Sequence, residues 1–424
     1  MGKKMESFTN KVQSSMGKFA SNKLLSAISN GMIRLLPVTM VGSVCAILGN
    51  LGFPGYQDYV NKIGLGSIFS MGVQMTTNLI SIYVLVSLAY EFSKKLNGSK
   101  INSILLSVMS FFLLTPISNI KIKGNDIVGL DLSYLGSKGM FVAMIVSLSV
   151  TWFYCLLERK HITIKMPDSV PPAVSNSFTA LVPAWIIAGI ILVINGMLRA
   201  TSFGDIHNLI YTIVQTPLEH LGGSIWALLF ILFFSEFLWF FGIHGSMATS
   251  AIIYTLYQPL ELQNLAAYTA GQALPNILTK TFIDVMKGPR HFALAILLLF
   301  LCHSHHMKSV GKVAIVPAFF GISEPMKFGI PMVLNPILFI PMTLSPVISV
   351  GLAYVATSLN LIPRMTGITF PWNIPVISGL VVGDWRTAIL QVLQLLIAMA
   401  LYYPFIKILD RQSLEQEAAQ AEKE

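Results

Sequence analysis

Phe240-Phe241-Gly242-Ile243-His244-Gly245 sets a histidine between two glycines at the end of a long apolar run. Gly321-Ile322-Ser323-Glu324-Pro325 sets a carboxylate between a glycine and a proline in a second one. An ionisable group at membrane depth costs about 2.5–3.5 kcal/mol on insertion scales, so it seldom stands there without a function. Gly and Pro break helices, and broken backbone at that depth survives only in protein or along a watery cavity. His244 and Glu324 therefore mark a polar site at mid-membrane.

The rest of the chain fits that environment. Of 424 residues, 54% are hydrophobic and 11% charged, with mean hydropathy +0.69. Soluble proteins carry about 25% charged residues. The net charge of +9 comes from basic residues at the ends of apolar runs, as in cytoplasmic loops, and does not signal nucleic-acid binding. Cys45, Cys155 and Cys302 lie scattered in apolar stretches and read as reduced thiols. The lysine-rich start is read as a cytoplasmic lead-in to a retained first span, because the apolar segment after it is too long for a signal peptide.

Apolar runs near Leu24–Leu51, Ile68–Phe92, Ile101–Ile120, Met140–Leu157, Phe178–Leu198 and Ile225–Phe241 approach the roughly 20 residues a spanning helix needs. Lys94, Lys95 and Lys100, then Arg159, Lys160 and Lys165, put the N-terminus inside, although the mixed loop around Lys121, Lys123, Asp126 and Asp131 breaks the pattern. Ser202–Pro217 has the spacing of an interfacial amphipathic helix. After Phe240, prolines interrupt shorter apolar segments, which predicts re-entrant hairpins and broken helices. A last span opens at Asp384 and ends near Leu409, and the polar tail from Gln412 is expected to be a frayed cytoplasmic helix. The expected division is 1–200, a linker at 201–221, a transport block at 222–411, and the tail. Nothing reads as a nucleotide-binding domain.

A neutral imidazole can accept a substrate hydroxyl or act as its base, or fix a kink by bonding a carbonyl. Glu324 precedes Pro325 and is biased to extended backbone. It can orient a hydroxyl or His244, or pair with Lys327. Trp372, between Pro371 and Asn373, suits stacking on a sugar ring, while Trp239 fits either a pocket or an interfacial anchor. Glu236 is either a second polar member of the site or an interhelical partner. Cys302-His303-Ser304-His305-His306 is too crowded for ligands to converge and reads as a polar turn, with no metal or other cofactor expected.

Together, Phe240–Gly245, Gly321–Pro336 and Pro371–Gly379, with Asn30–Ser43 and Tyr402–Phe405, resemble the membrane-embedded IIC component of the bacterial phosphoenolpyruvate-dependent sugar phosphotransferase system, lactose/cellobiose/chitobiose type. The resemblance implies an all-α integral membrane protein of the bacterial cell membrane, with about ten spans per subunit. It further implies two re-entrant hairpins, a homodimer joined by its N-terminal block, both termini cytoplasmic, and elevator-type movement of the sugar. A cytoplasmic IIB protein carrying a phosphocysteine would phosphorylate the C6 hydroxyl of a disaccharide, probed by the residues matching His244 and Glu324, with Trp372 on the ring.

One stretch departs from the family pattern. Relatives carry a run of small residues where this chain has Met286-Lys287-Gly288-Pro289-Arg290-His291. Gly288 keeps one close approach, and Arg290 is expected to fill space or to hold a charged sugar. Trp239, Trp372, Asn373, Gly288 and Arg290 are thus the expected sugar contacts. An ion-coupled sugar transporter and a non-transporting relative are the competing readings.

Overall fold

The computed structural model describes residues 22–51, 55–122, 125–164, 166–167, 170–330, 332–370 and 373–421. They fall into two compact units, divided between residues 220 and 221.

In the first unit, α1 (Lys23–Ile33) and α2 (Leu36–Gly49) make one apolar stretch of spanning length, interrupted at Arg34 and Leu35. Pro37 sits in the first turn of α2, where its missing N–H costs nothing. Next come α3 (Tyr56–Lys62), α4 (Leu65–Thr76), α5 (Ile80–Leu96) and α6 (Lys100–Leu114). A Cβ on Gly31 would stand 2.6 Å from Leu88 Cδ2 of α5, and Ser87 donates to the Gly31 carbonyl at 2.8 Å. Small residues let helices approach closely where lipid gives no hydrophobic drive to associate. Buried Glu91 accepts from Arg34 Nε at 2.5 Å.

The apolar run Ile101–Ile120 does not form one helix. Pro116 biases Thr115 to extended backbone (φ −77°, ψ 127°), and α6 stops at Leu114. An antiparallel hairpin follows, β1 (Ile117–Ile122) against β2 (Asn125–Leu130), with Ile117 opposite Leu130. It occupies the mixed-charge loop, a β element that the sequence reading does not foresee. Then α7 (Met140–Arg159) packs on α5 and α6, with Asn102 donating to the Tyr154 hydroxyl at 3.0 Å. After α8 (Pro172–Arg199), the expected amphipathic segment is broken into α9 (Ile206–Ile210), a π-helical turn and α10 (Thr216–Gly222). Tyr211 and Ile213 are exposed, while His207 is buried beside Thr115, its Nε2 3.2 Å from the hydroxyl.

The second unit contains α11 (Ile225–Phe240), α12 (Gly245–Thr269), α13 (Lys280–Lys287), α14 (Pro289–Ile296), α15 (His305–Phe319), α16 (Glu324–Gly329), α17 (Pro336–Ser358), α18 (Ile377–Val382) and α19 (Trp385–Ala421). Short helices and extended segments replace long rods between Ala270 and Asn335, as the prolines predict. The freed backbone groups find side-chain partners. Asn264 Nδ2 donates to the carbonyls of Asn276 and Met365, each at 2.8 Å, and its Oδ1 accepts from Asn276 N–H at 2.9 Å. Gln391 Oε1 accepts from the N–H groups of Val376 (2.8 Å) and Gly379 (2.9 Å).

Among the described residues, six helical stretches are long and apolar enough to cross a membrane, or seven if the pair bent by 73° at Gly222–Ile225 is one span. The last, α19, runs 37 residues, about 55 Å at 1.5 Å per residue. The helix expected in the tail is continuous with the span and runs to Ala421. Its Asp410 accepts from the N–H groups of His303 (2.8 Å) and Ser304 (2.9 Å), and Glu417 from those of His305 (3.1 Å) and His306 (2.8 Å). Two carboxylates thus satisfy the orphan donors at the start of α15.

Candidate functional site

The histidine and the glutamate arrive on matching pieces of backbone. At the end of α11, Gly242 (φ 78°) donates to the Trp239 carbonyl at 2.9 Å and Ile243 to Leu238 at 3.1 Å. At the end of α15, Gly321 (φ 82°) donates to Ala318 at 3.0 Å and Ile322 to Pro317 at 2.9 Å. Both are Schellman closures, which need a left-handed residue and hence favour glycine. Phe240-Phe241-Gly242-Ile243 and Phe319-Phe320-Gly321-Ile322 spell the same four residues, a repeat that the sequence displays and that marks both site-bearing turns.

His244 directly follows the first turn, and Glu324 follows the second after one residue, Ser323. His244 caps α12, its Nδ1 accepting from Met247 N–H at 3.2 Å. A donor facing Nδ1 requires a lone pair there, so the ring proton is on Nε2. That nitrogen donates to Glu324 Oε1 at 3.3 Å. Glu324 opens α16 with Pro325 behind it. Both side chains keep about 40% of their surface open (38% and 42%), so a ligand can reach the pair. The Trp239 ring lies 4.3 Å from the imidazole, centroid to centroid, and its Nε1–H is buried with no partner among the described residues. Trp239 thus packs buried on the imidazole and is not an exposed anchor.

Arg290 lies elsewhere in the same unit. It is 5% exposed, and its guanidinium donates to Glu236 Oε1 at 2.7 Å and to the Lys287 carbonyl at 2.7 Å. In this arrangement it is engaged with Glu236 and not free for a charged sugar. Lys327 pairs with the other oxygen of the same carboxylate, Nζ to Oε2 3.2 Å, instead of bridging to Glu324. Its ammonium also sits 3.9 Å from the Trp239 ring centroid. Sequence alone singles out each of these charges but not who meets whom, because the partners lie 54 and 91 residues apart.

Gly288 and Gly321 both press on Asn373: a Cβ on either would approach Asn373 Cβ to 2.9 or 3.0 Å. The close approach kept at Gly288 therefore admits Asn373. Trp372, the expected stacking residue, lies outside the described residues. Just beyond it Val376 takes φ 70°, ψ −53°, the rarer kind of γ-turn, closed by Ile377 N–H on the Pro375 carbonyl at 2.8 Å. Strained backbone of this kind clusters at functional sites. Among the described residues no three His, Cys, Asp or Glu side chains are placed to hold a metal ion. The neighbours of Cys302–His306 are instead Asp410 and Glu417, which receive backbone N–H groups.

Known proteins share this architecture. Residues 29–346 match the family model described as Phosphotransferase system, EIIC. The oligo-beta-mannoside-specific EIIC component of Bacillus subtilis is 34% identical, over 96% of this chain and 94% of that protein. The lactose-specific EIICB component of Lacticaseibacillus casei is 28% identical, over 96% of this chain and 70% of that longer protein. The crystal structure of ChbC, the IIC component of the N,N'-diacetylchitobiose-specific phosphotransferase system, superposes with TM-score 0.91 at 31% identity, covering 96% of this chain and 98% of that one. With its paired turns, its apolar helices and these relatives, the chain belongs to the phosphotransferase-system EIIC family of multi-pass membrane sugar permeases.

Proposed function

We propose that this chain imports a β-linked disaccharide and presents its C6 hydroxyl, beside His244 and Glu324, to a phosphorylated IIB protein. The 3.3 Å contact between the two side chains, brought from separate broken segments, carries this reading. The sugars named for its relatives, a β-mannoside, lactose and diacetylchitobiose, supply the substrate class. An EIICB relative with further sequence supports a IIB partner.

The tautomer divides the work. Nε2 is a donor, so the acceptor role expected of His244 passes to Glu324, whose carboxylate takes the hydroxyl proton while the imidazole orients it. The sugar oxygen attacks phosphorus, the P–O bond forms as the P–S bond of phosphocysteine breaks, and the cysteine leaves as thiolate. No metal or organic cofactor of this chain takes part. Trp239 and Trp372 wall the ring, and Asn373, which Gly288 and Gly321 admit by close approach, contacts the sugar. Arg290 is assigned a supporting role.

The same reading takes residues 222–411 as the mobile transport block, with two re-entrant hairpins and about ten spans in all. It takes 1–200 as the dimerising scaffold, 201–221 as the linker, and both termini as cytoplasmic. The test uses vesicles supplied with phosphorylated IIB and a panel of β-disaccharides. Phosphorylated sugar in the lumen is the expected product. Unmodified sugar whose uptake collapses with the proton gradient would make the protein an ion-coupled transporter. Binding without accumulation would make it a non-transporting relative.

A further inference from the structure

One carboxylate, Glu236 on α11, holds cations from two other elements, Arg290 of α14 on one oxygen and Lys327 of α16 on the other. All three side chains are 4–6% exposed. Burying charges costs several kcal/mol per ion, more than a pair of apolar residues would demand, so stability alone is a poor reason for the cluster. Its geometry offers a better one. Lys327 is three residues after Glu324 on the same short helix, and its ammonium lies on the Trp239 face at 3.9 Å. Trp239 lies on His244 at 4.3 Å, and His244 bonds Glu324 at 3.3 Å. The contacts close a ring that starts and ends on α16. Counting formal charge, Glu236 balances only one of its two cations, and the surplus positive charge stands beside the Glu324 carboxylate.

We infer that Lys327 is a positioning residue for the sugar hydroxyl. Anchored by Glu236, it clamps the indole against the imidazole and holds the His244–Glu324 pair in register. Its contacts are Glu236 and the Trp239 ring, so it acts through Trp239 and, along α16, through Glu324. This rests on the phosphotransfer reading given above. Cation–π contact with tryptophan gains strength where water is excluded, which suits a buried ammonium. A misplacement of about 1 Å in a catalytic pair costs on the order of a hundredfold in rate.

The test compares Lys327→Met, which leaves Arg290–Glu236 as a neutral pair, with Lys327→Arg, which keeps the cation. Both are reconstituted in vesicles with phosphorylated IIB beside the unsubstituted protein. Lys327→Met should lower kcat for sugar phosphorylation by roughly ten- to a hundredfold while the sugar KM moves less than about threefold. Lys327→Arg should recover most of kcat. If Lys327→Met does not reach the membrane, Lys327→Gln takes its place and must show the same split. A kcat within threefold of the unsubstituted protein in either neutral variant overturns the inference. So does a KM rise that accounts for the whole loss, or an equal loss in Lys327→Arg. If the unsubstituted protein itself yields no phosphorylated sugar, it is the phosphotransfer reading that fails.

Discussion

The two units satisfy the same solvent in opposite ways. In the first, buried polarity is mostly serine and threonine hydroxyl, and several of these bond the carbonyl a turn back, as Ser103 does to Ser99 and Ser147 to Met144. Such groups leave the helix intact and let neighbours pack closely. In the second, broken helices leave bare amides and carbonyls, and long polar side chains such as Asn264, Gln391 and Arg364 reach across to meet them. Ionised groups gather there too: Glu236, Arg290 and Lys327 are buried together, whereas the first unit buries Glu91 against half-exposed Arg34. Continuous helices make a scaffold cheaply. Interrupted ones need a dedicated polar framework, and only they can aim a histidine and a glutamate at one point.

Substitutions can break or sharpen that contrast. The largest effect is expected at the pair itself. His244→Ala or Glu324→Gln should cut phosphorylation in IIB-charged vesicles at least about a thousandfold, with little change in thermal stability. Persistent turnover would reduce the pair to scaffolding and erase the distinction between the units. Next, Arg290→Met leaves Glu236–Lys327 as a neutral pair but takes the donor from the Lys287 carbonyl, and should cost about 2 kcal/mol, read as a fall in thermal stability in detergent. Gln391→Leu orphans two N–H groups beside the Val376 turn. It should cost about 2 kcal/mol and weaken sugar binding by calorimetry, because Asn373 hangs on that segment. Smallest is Gly31→Ala in the first unit, where the new methyl meets fully buried Leu88. A loss of about 1 kcal/mol with uptake intact is expected there, and abolished uptake would mean the scaffold is no bystander.

Much of this was legible in the residues. Apolar runs located helices, since hydrophobic length alone decides what lipid will accept, and Gly or Pro beside an ionisable group picked out the two side chains that the structure brings together. The hairpin after Pro116 was hidden, because Ile117-Ser118-Asn119-Ile120 is short and ambiguous between helix and strand. Sequence leaves open whether Arg290 fills space or holds a charged sugar, because charge type is visible there but the side chain that neutralises it, Glu236, depends on tertiary packing. The repeated Phe-Phe-Gly-Ile was in plain view. It becomes informative only when read as a helix-ending turn that occurs twice, once directly before His244 and once one residue before Glu324.

The reach of Glu417 to the backbone of His305 and His306 bears on how the protein is handled in the laboratory. Proteolytic clipping anywhere before Glu417 would strip two amides of their acceptor and let the first turn of α15 unwind, so a preparation trimmed to tidy its tail would be the wrong sample for judging the site at the other end of that helix.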